Sequence, residues 1–257
     1  MYAAPQQWQG ALFIAISQSG KSPDLVRNAQ AAKAAGARVV AMVNVEDSPL
    51  AAIADTVIPL HAGPERSVAA TKSYLAALAA ILQLCAHWHG DTRLVAALEA
   101  LPEALRKGWD ADWSALTDGL VDAHNLFVVG RGFGFAAALE AALKFKETCG
   151  LHAEAFSAAE VKHGPMALVG PDFPVLCFAQ DDDTRDSTLA VAREFRARGA
   201  QVFVAAPGLQ GAGSLPVPAG LPALCTPLLI IQSFYRAASE LSLRRGFNPD
   251  VPPRSEE

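Results

Sequence analysis

His124–Val169 reads HNLFVVGRGFGFAAALEAALKFKETCGLHAEAFSAAEVKHGPMALV, and its first half decides the fold. An apolar β-type run, Asn125 to Val129, ends in a turn carrying Gly130, Gly132 and Gly134 and opens directly into a long Ala/Leu helix. In that arrangement the free backbone N–H groups at the helix start can hold an anion. The helix carries Glu140, Lys144 and Glu147 at i, i+4 and i+7, which at about 100° per residue fall in one narrow stripe. On most helices such a stripe is a solvated face laced with ion pairs. Here Ala136, Ala137 and Leu143 flank it and Phe135, Phe145 and Cys149 occupy the far side, so little of the helix is written for water. Charges on a helix that is apolar nearly all round are either paired or functional.

On both sides of this element, strands alternate with helices. ALFIAI (11–16) is a short apolar run closed by Ser17-Gln18-Ser19-Gly20, the pattern of a buried parallel strand feeding a loop. A helix capped by Ser22 or its neighbour runs from about Pro23 to Ala35 and stops at Gly36. ARVVAMVN (37–44) is a second strand, a short helical piece lies near 48–54, TVIPL (56–60) is a third strand, and a long helix covers about 66–88. Residues 89–123 show no strand pattern and read as two amphipathic helices, about 93–107 and 110–122, separated by Gly108. Beyond the central element come FPVLCFAQ (173–180) as a strand, a helix over about 184–198 and AQVFVAA (200–206) as a strand. A Gly/Pro loop (207–222) and a helix over about 226–245 complete the chain. Close alternation of this kind implies right-handed crossovers and α/β lobes built on parallel sheets.

Residues 11–44 and 173–206 align in pattern as strand, polar loop, helix ending in Gly-Ala, strand. In the second half that block follows the strand–turn–helix of 125–150, and in the first it follows ten residues. The expected organisation is therefore a first lobe over 1–90 that lacks its opening βα unit, a helical connector over 91–123 and a second lobe over 124–257. The edge of the first sheet at strand 11–16 should be apolar and uncovered.

With 257 residues, 18 % charged and 51 % hydrophobic, the chain can bury one large core or two modest ones. A net charge of −5 without a basic run argues against nucleic acid as a partner. No apolar stretch reaches the roughly 18 residues of a membrane span, and no signal-type segment follows Met1, so the expectation is a soluble cytoplasmic protein without a membrane partner. Cys85, Cys149, Cys177 and Cys225 are scattered without metal-ligand spacing and read as buried thiols in a reducing compartment. His87 and His89, two apart on a helix, point away from each other and read as a surface pair, so no metal site is expected.

Three further stretches could carry chemistry. Ser17-Gln18-Ser19-Gly20-Lys21-Ser22 lies where a strand ends and a helix begins, with hydroxyls, a carboxamide and helix-start N–H groups to cradle a phosphate. The same spelling also serves as a plain N-cap. Arg66 to Ser73 (RSVAATKS) brings more hydroxyls and cations to the next helix start, among them Thr71. Glu154 to Pro165 reads as a polar loop holding His163 between Lys162 and Gly164-Pro165, a candidate for general acid/base work.

ISQSGKSPDLV, AGPERSVAATKSY, GRGFGFAAALEAALKFKETCGLHAEAF and AAEVKHGPMALV, in that order, resemble the SIS (sugar isomerase) family as it occurs in the isomerase half of glutamine-fructose-6-phosphate aminotransferase. The spellings SVAATKSY and LHAEAFSAAEVKHGPM and the late RRGFNPDVPP look still more like the SIS-type glucosamine-6-phosphate deaminases. The resemblance implies that Ser17, Gln18, Ser19 and Ser22 bind a sugar phosphate, with Thr71 close to the same ligand. It further implies that Glu147 moves a proton between C1 and C2 of an open-chain sugar, with Glu140 and Lys144 in the polar stripe beside it. His163 matches the ring-opening residue, supplied in the family by a neighbouring subunit. The implied assembly is a homodimer acting on a hexosamine or hexose phosphate, and the implied chemistry needs neither metal nor organic cofactor. A desolvated carboxylate with a raised pKa suits such a proton transfer, so Glu147 is expected to be largely buried. Three features depart from the family: the opening βα unit with the first phosphate-loop motif is missing, Ala70 stands where the aminotransferases carry a hydroxyl, and the tail at Val251–Glu257 stops before a lysine that takes part in their chemistry.

Overall fold

The computed structural model describes residues 7–251, so the tail from Pro252 lies outside the described residues. Contacts divide the chain into two units. The first runs to Arg66 and takes in Ala70–Cys85. The second takes in Ser67–Ala69 and everything from Ala86 on.

In the first unit, β1 (Leu12–Ser17), β2 (Arg38–Val43) and β3 (Thr56–Pro59) form a parallel sheet in that order, with Ile14 opposite Val40 and Val40 opposite Thr56. α1 (Pro23–Ala34) makes the crossover between β1 and β2. Pro23 opens it with a preset φ, Asp24 faces the positive end of its dipole, and the Ala37 amide closes it on the Ala32 carbonyl at 3.0 Å. α2 (Pro49–Ile53) is capped by Ser48, whose hydroxyl accepts from the Ala51 amide. α3 (Lys72–His89) starts six residues later than the sequence pattern suggests. The Glu65 carboxylate reaches past that segment and accepts from the amides of Thr71 at 3.1 Å and Ser73 at 2.7 Å and from the Ser73 hydroxyl at 2.8 Å. It thereby supplies the cap that residues 66–71 would otherwise displace.

The second unit holds a five-stranded parallel sheet in the order β5-β4-β6-β7-β8. Its strands are β4 (Asn125–Gly130), β5 (His152–Ser157), β6 (Pro174–Phe178), β7 (Gln201–Ala205) and the short β8 (Ser214–Leu215). α6 (Phe133–Cys149) connects β4 to β5, and α7 (Arg185–Ala197) connects β6 to β7. α4 (Thr92–Trp109) and α5 (Ser114–Leu120) pack on α8 (Thr226–Arg244), which also packs along α6. Gly108 lies inside α4 and does not break it. A Cβ there would meet α8 only at ordinary contact distance, and the Ser233 hydroxyl of α8 donates to the Gly108 carbonyl at 2.8 Å. Arg245 ties the ends together by donating to the carbonyls of Leu120, Val121, Ala123 and Cys149.

β5 and β8 occupy stretches whose sequence reads as loops. β5 alternates irregularly and exposes His152 and Glu154, the polar dress of an edge strand. Among the cysteines, Cys149, Cys177 and Cys225 are buried, with burial pushing the Cys177 thiol up to about 12, whereas Cys85 is exposed. Among the described residues no helix is long and apolar enough to cross a membrane.

β1 is an edge strand with two unlike faces. Phe13 and Ala15 pack with Ala29 and Ala32 of α1, as Val175 and Cys177 of β6 pack with Val191, Ala192 and Phe195 of α7. On the opposite face Leu12, Ile14 and Ile16 remain 42, 40 and 41 % exposed, whereas Leu176 and Phe178 of β6 are fully buried. β6 has β4 as its outer neighbour and α6 packed against it, and β1 has no outer strand among the described residues. Lysine at an uncovered position is cheap, so Ile14→Lys should change unfolding free energy by no more than about 0.5 kcal/mol in a urea titration. It should also lower concentration-dependent light scattering, because the apolar edge loses its stickiness. Leu176→Lys, which buries an unpaired charge, should cost upwards of about 4 kcal/mol.

Candidate functional site

The turn between β4 and α6 is close-packed. Gly132 sits at φ +55°, and a Cβ on Gly134 would fall 2.2 Å from the Gln180 carboxamide oxygen. Gln180, fully buried, donates through Nε2 to the Arg131 carbonyl at 2.8 Å and to Asp182 at 3.0 Å. The amides of Gly134 and Phe135 bond back to Arg131 and Gly132 within the turn. Two of the amides that could hold an anion here are thus used inside the turn, and an acidic loop, Asp181–Asp183, follows the residue that fills it.

What the turn does is launch α6 so that one stripe is buried. Lys144 has 6 % and Glu140 8 % of the side chain exposed, and Glu147, expected to be largely buried, has 36 %. The Lys144 ammonium lies 2.7 Å from Glu147 Oε2 and 3.5 Å from Glu140 Oε1. Glu140 Oε1 also accepts from the Tyr235 hydroxyl of α8 at 2.7 Å. The outer face of α6 is not water-friendly: Phe133, Leu139 and Leu143 are all exposed. Its inner face is locked to α8 by an edge-to-face contact of Phe145 with Phe234 at 5.0 Å and by the Ser242 hydroxyl donating to the Thr148 carbonyl. A solvated-face reading of the stripe is excluded by this burial.

Burial raises the Glu140 carboxyl above the ordinary glutamate range, with a smaller push from Glu147, while the Lys144 charge and the Tyr235 hydroxyl pull it down. The arrangement can hold a carboxylate, Glu147, at the border of solvent, oriented by the Lys144 ammonium 2.7 Å away. Tyr235 was not singled out from the sequence. The signal was a phenol in a helix otherwise fit for a core, since a buried tyrosine hydroxyl needs a partner. His163 is exposed, in the turn after β5, with its amide donating to the Glu160 carbonyl at 2.8 Å. Its neighbour Lys162 is paired with Glu194 of α7.

In the first unit, Ser17, Gln18, Ser19 and Ser22 share the β1–α1 loop. The Ser17 hydroxyl accepts from the Gly20 amide at 3.0 Å and the Ser19 hydroxyl from the Lys21 amide at 3.3 Å. Gly20, at φ +62°, leaves no room for a Cβ, which would meet the Ser48 hydroxyl at 2.1 Å. The Asn44 amide donates to the Gln18 carbonyl and the Leu50 amide to that of Gly20, so β2 and α2 hold the loop. Ser22 is the N-cap of α1 and exposed, but its hydroxyl makes no cap bond, which leaves both that hydroxyl and the helix-start amides for a ligand. Thr71 stands at the start of α3 with its amide on Glu65.

Two α/β units with parallel sheets, a Ser-rich strand-to-helix loop and a buried acid–base stripe are features of sugar-isomerase-type domains. Residues 8–86 and 119–206 match the SIS domain, and the chain belongs to that family. A glutamine–fructose-6-phosphate aminotransferase (isomerizing) of Thermotoga maritima is 36 % identical over 275 aligned residues, covering 98 % of this chain and 44 % of that protein. The chain thus spans less than half the length of that relative. Among solved structures, a Silicibacter pomeroyi protein assigned as a phosphosugar isomerase has a TM-score of 0.90 at 43 % identity, over 97 % of this chain and 76 % of that one. A glucosamine-6-phosphate deaminase of Thermotoga maritima has a TM-score of 0.78 at 22 % identity, over 98 % and 76 % of the two chains, a likeness of fold alone.

The buried pair makes stability depend on pH. A carboxyl with a raised folded pKa binds more protons in the folded than in the unfolded state, so its contribution is full in acid and is withdrawn as pH rises from about 4.5 through the raised value. Lys144→Met leaves the Glu140 charge uncompensated and should cost about 3–5 kcal/mol near neutral pH in urea unfolding. That cost should shrink as pH falls and Glu140 takes up its proton. A cost independent of pH would show that Glu140 carries no charge in the folded protein.

Proposed function

We propose that the chain is an aminosugar-phosphate isomerase/deaminase that converts glucosamine 6-phosphate and water to fructose 6-phosphate and ammonia. The observation that carries the reading is the Lys144–Glu147 pair at 2.7 Å backed by buried Glu140, on the helix that matches the family's proton-transfer helix. In the open-chain sugar the Glu147 carboxylate takes the C2 proton while O1 takes one from water to give an enolamine, and Glu147 then returns its proton to C1. The resulting C2 iminium adds water and expels ammonia. One carboxylate serves both steps because it becomes the acid by accepting the first proton. The Lys144 ammonium stabilises negative charge that develops on the sugar oxygen during the transfer. His163, exposed on its turn, is the candidate for opening the sugar ring from across a homodimer boundary.

The β1–α1 loop of the first unit is assigned to the phosphate. Ser17, Gln18, Ser19 and Ser22 offer donors around Lys21, at a helix start whose amides are not consumed by a cap, with Thr71 as a further hydroxyl in the same unit. The division into two lobes, about 1–90 and 124–257 joined by helices, is part of the same reading. A second reading, the isomerase part of a glutamine-fructose-6-phosphate aminotransferase-like enzyme, is supported about equally by the Thermotoga relative. A sugar-phosphate-binding SIS module without turnover is the reading outside enzymology.

An ammonia-release assay over a panel of hexosamine phosphates, run beside calorimetric binding, separates the three. Glu147→Gln should abolish turnover and leave sugar-phosphate affinity within about threefold, because it removes a proton-transfer group and little ground-state contact. Ser19→Ala should weaken binding about tenfold, the loss of one hydrogen bond to a charged group. Binding without ammonia release, but with conversion of fructose 6-phosphate and ammonia, favours the aminotransferase-type reading. Binding with no conversion in either direction favours the module, and equal loss of binding and turnover in Glu147→Gln overturns the role given to Glu147.

A further inference from the structure

α8 is a core helix through its first half: Leu228, Leu229, Ile230, Ile231 and Phe234 are all buried. Tyr235 sits in the same turn, and its hydroxyl is delivered to Glu140 Oε1 at 2.7 Å. That oxygen is the one facing the Lys144 ammonium at 3.5 Å, and the ammonium in turn donates to Glu147 Oε2 at 2.7 Å. A polar relay thus runs from a phenol in the core, through a buried carboxylate and a buried ammonium, to the carboxylate at the border of solvent.

We propose that Tyr235 is a positioning residue for Glu147: by donating to Glu140 it keeps that carboxylate ionised, and ionised Glu140 anchors Lys144 in the rotamer that presents its ammonium to Glu147. This rests on the reading of Glu147 as the proton-transfer group. The groups acting on Glu140 are Lys144 and Glu147 from α6 and Tyr235 from α8. Burial favours the neutral acid, and the phenol is the uncharged donor that opposes it. Removing the phenol takes away one of the groups that, with Lys144, oppose the effect of burial, so Glu140 keeps its proton to higher pH. Lys144 then keeps a single carboxylate, on the solvent side, and the geometry that aims Glu147 at a substrate carbon relaxes. Proton transfer is sensitive to such placement, because the reacting atoms must be held near contact distance.

The test follows the Glu140 carboxyl carbon by 13C NMR across pH in the full chain, with the resonance assigned by its loss in Glu140→Gln. In Tyr235→Phe the titration midpoint should move up by about one pH unit, the loss of one hydrogen bond to a charged acceptor. Site-specific 3-fluorotyrosine at position 235 keeps the shape of the side chain and strengthens the donor, so it remains informative if the phenylalanine variant does not fold. It should move the midpoint down. In turnover of hexosamine phosphate, Tyr235→Phe should lower kcat about tenfold with KM within about twofold, and shift the acid limb of kcat upward with Glu140. The double variant Glu140→Gln/Tyr235→Phe should be no slower than Glu140→Gln alone, because the tyrosine acts through that glutamate. An unmoved Glu140 midpoint in both tyrosine variants, or additive losses in the double variant, overturns the proposal. Absence of both binding and turnover in the wild type overturns the functional reading instead, and the Glu140 midpoint still reports whether Tyr235 holds the relay.

Discussion

A lysine ammonium with almost none of its side chain in water has to be met by charge. Moving an ammonium and a carboxylate out of water costs several kcal/mol each, and only good geometry with additional hydrogen bonds repays it. Much of the second unit can be traced to that demand at Lys144. One carboxylate would neutralise it, and α6 supplies two, one turn away on either side. Burial works against charge on the inner carboxylate, and beside Lys144 it is opposed by a hydroxyl from a helix far along the chain, where α8 lies along α6 with a tyrosine at the level of Glu140. The aromatic contact of Phe145 with Phe234 and the bond from Ser242 to Thr148 fix that alignment on either side of the tyrosine. The bond from Ser233 to the Gly108 carbonyl of α4 and the Arg245 grip on four carbonyls then hold α8 from behind.

The two Gln-containing loops show how the same backbone plan is set to different ends. After β1 the chain reads Gln18-Ser19-Gly20-Lys21-Ser22, and after β6 it reads Gln180-Asp181-Asp182-Asp183-Thr184. In the second loop the glutamine is consumed in holding the Arg131 turn and Asp182 accepts from the loop itself, receiving both the amide and the hydroxyl of Thr184. Its negative charge repels an anion. In the first loop the hydroxyls of Ser17 and Ser19 shape the turn, and the Ser22 hydroxyl is left free of the helix it caps. Identical placement at a strand end therefore yields a structural brace in one case and a candidate anion cradle in the other, and the side chains decide which.

This contrast also explains what could be read from the sequence. Strands written for burial appear as uninterrupted apolar runs, so β1, β2, β3, β4, β6 and β7 and the helices between them were legible, as was the stripe Glu140–Lys144–Glu147. β5 was not, because an edge strand carrying His152 and Glu154 obeys solvent on one side and alternates irregularly. The start of α3 was not, because its cap is a carboxylate on Glu65, several residues before the helix, and no local pattern encodes a remote cap. Tyr235 was invisible for the same reason. Its meaning lies in a partner 95 residues away. The intermediate exposure of Glu147 was misjudged because helical periodicity gives a face and not the depth at which neighbouring elements leave it.

Exposure on β1 separates two properties that sequence alone runs together. LFIAIS is written for burial on both faces, yet only Phe13 and Ala15 find a cover among the described residues, while Leu12, Ile14 and Ile16 stay near 40 % exposed. An open strand face alone would leave the loop at its end poorly held. Its bonds point the other way: the Gln18 and Gly20 carbonyls are taken by Asn44 and Leu50, and Gly20 is pressed against Ser48. The candidate phosphate loop is thus braced from the β2 and α2 side, by contacts that do not involve the open face. Covering that face would add apolar burial to the first unit without changing the donors the loop presents, so the ability to hold an anion and the stability of the sheet beneath it rest on different residues.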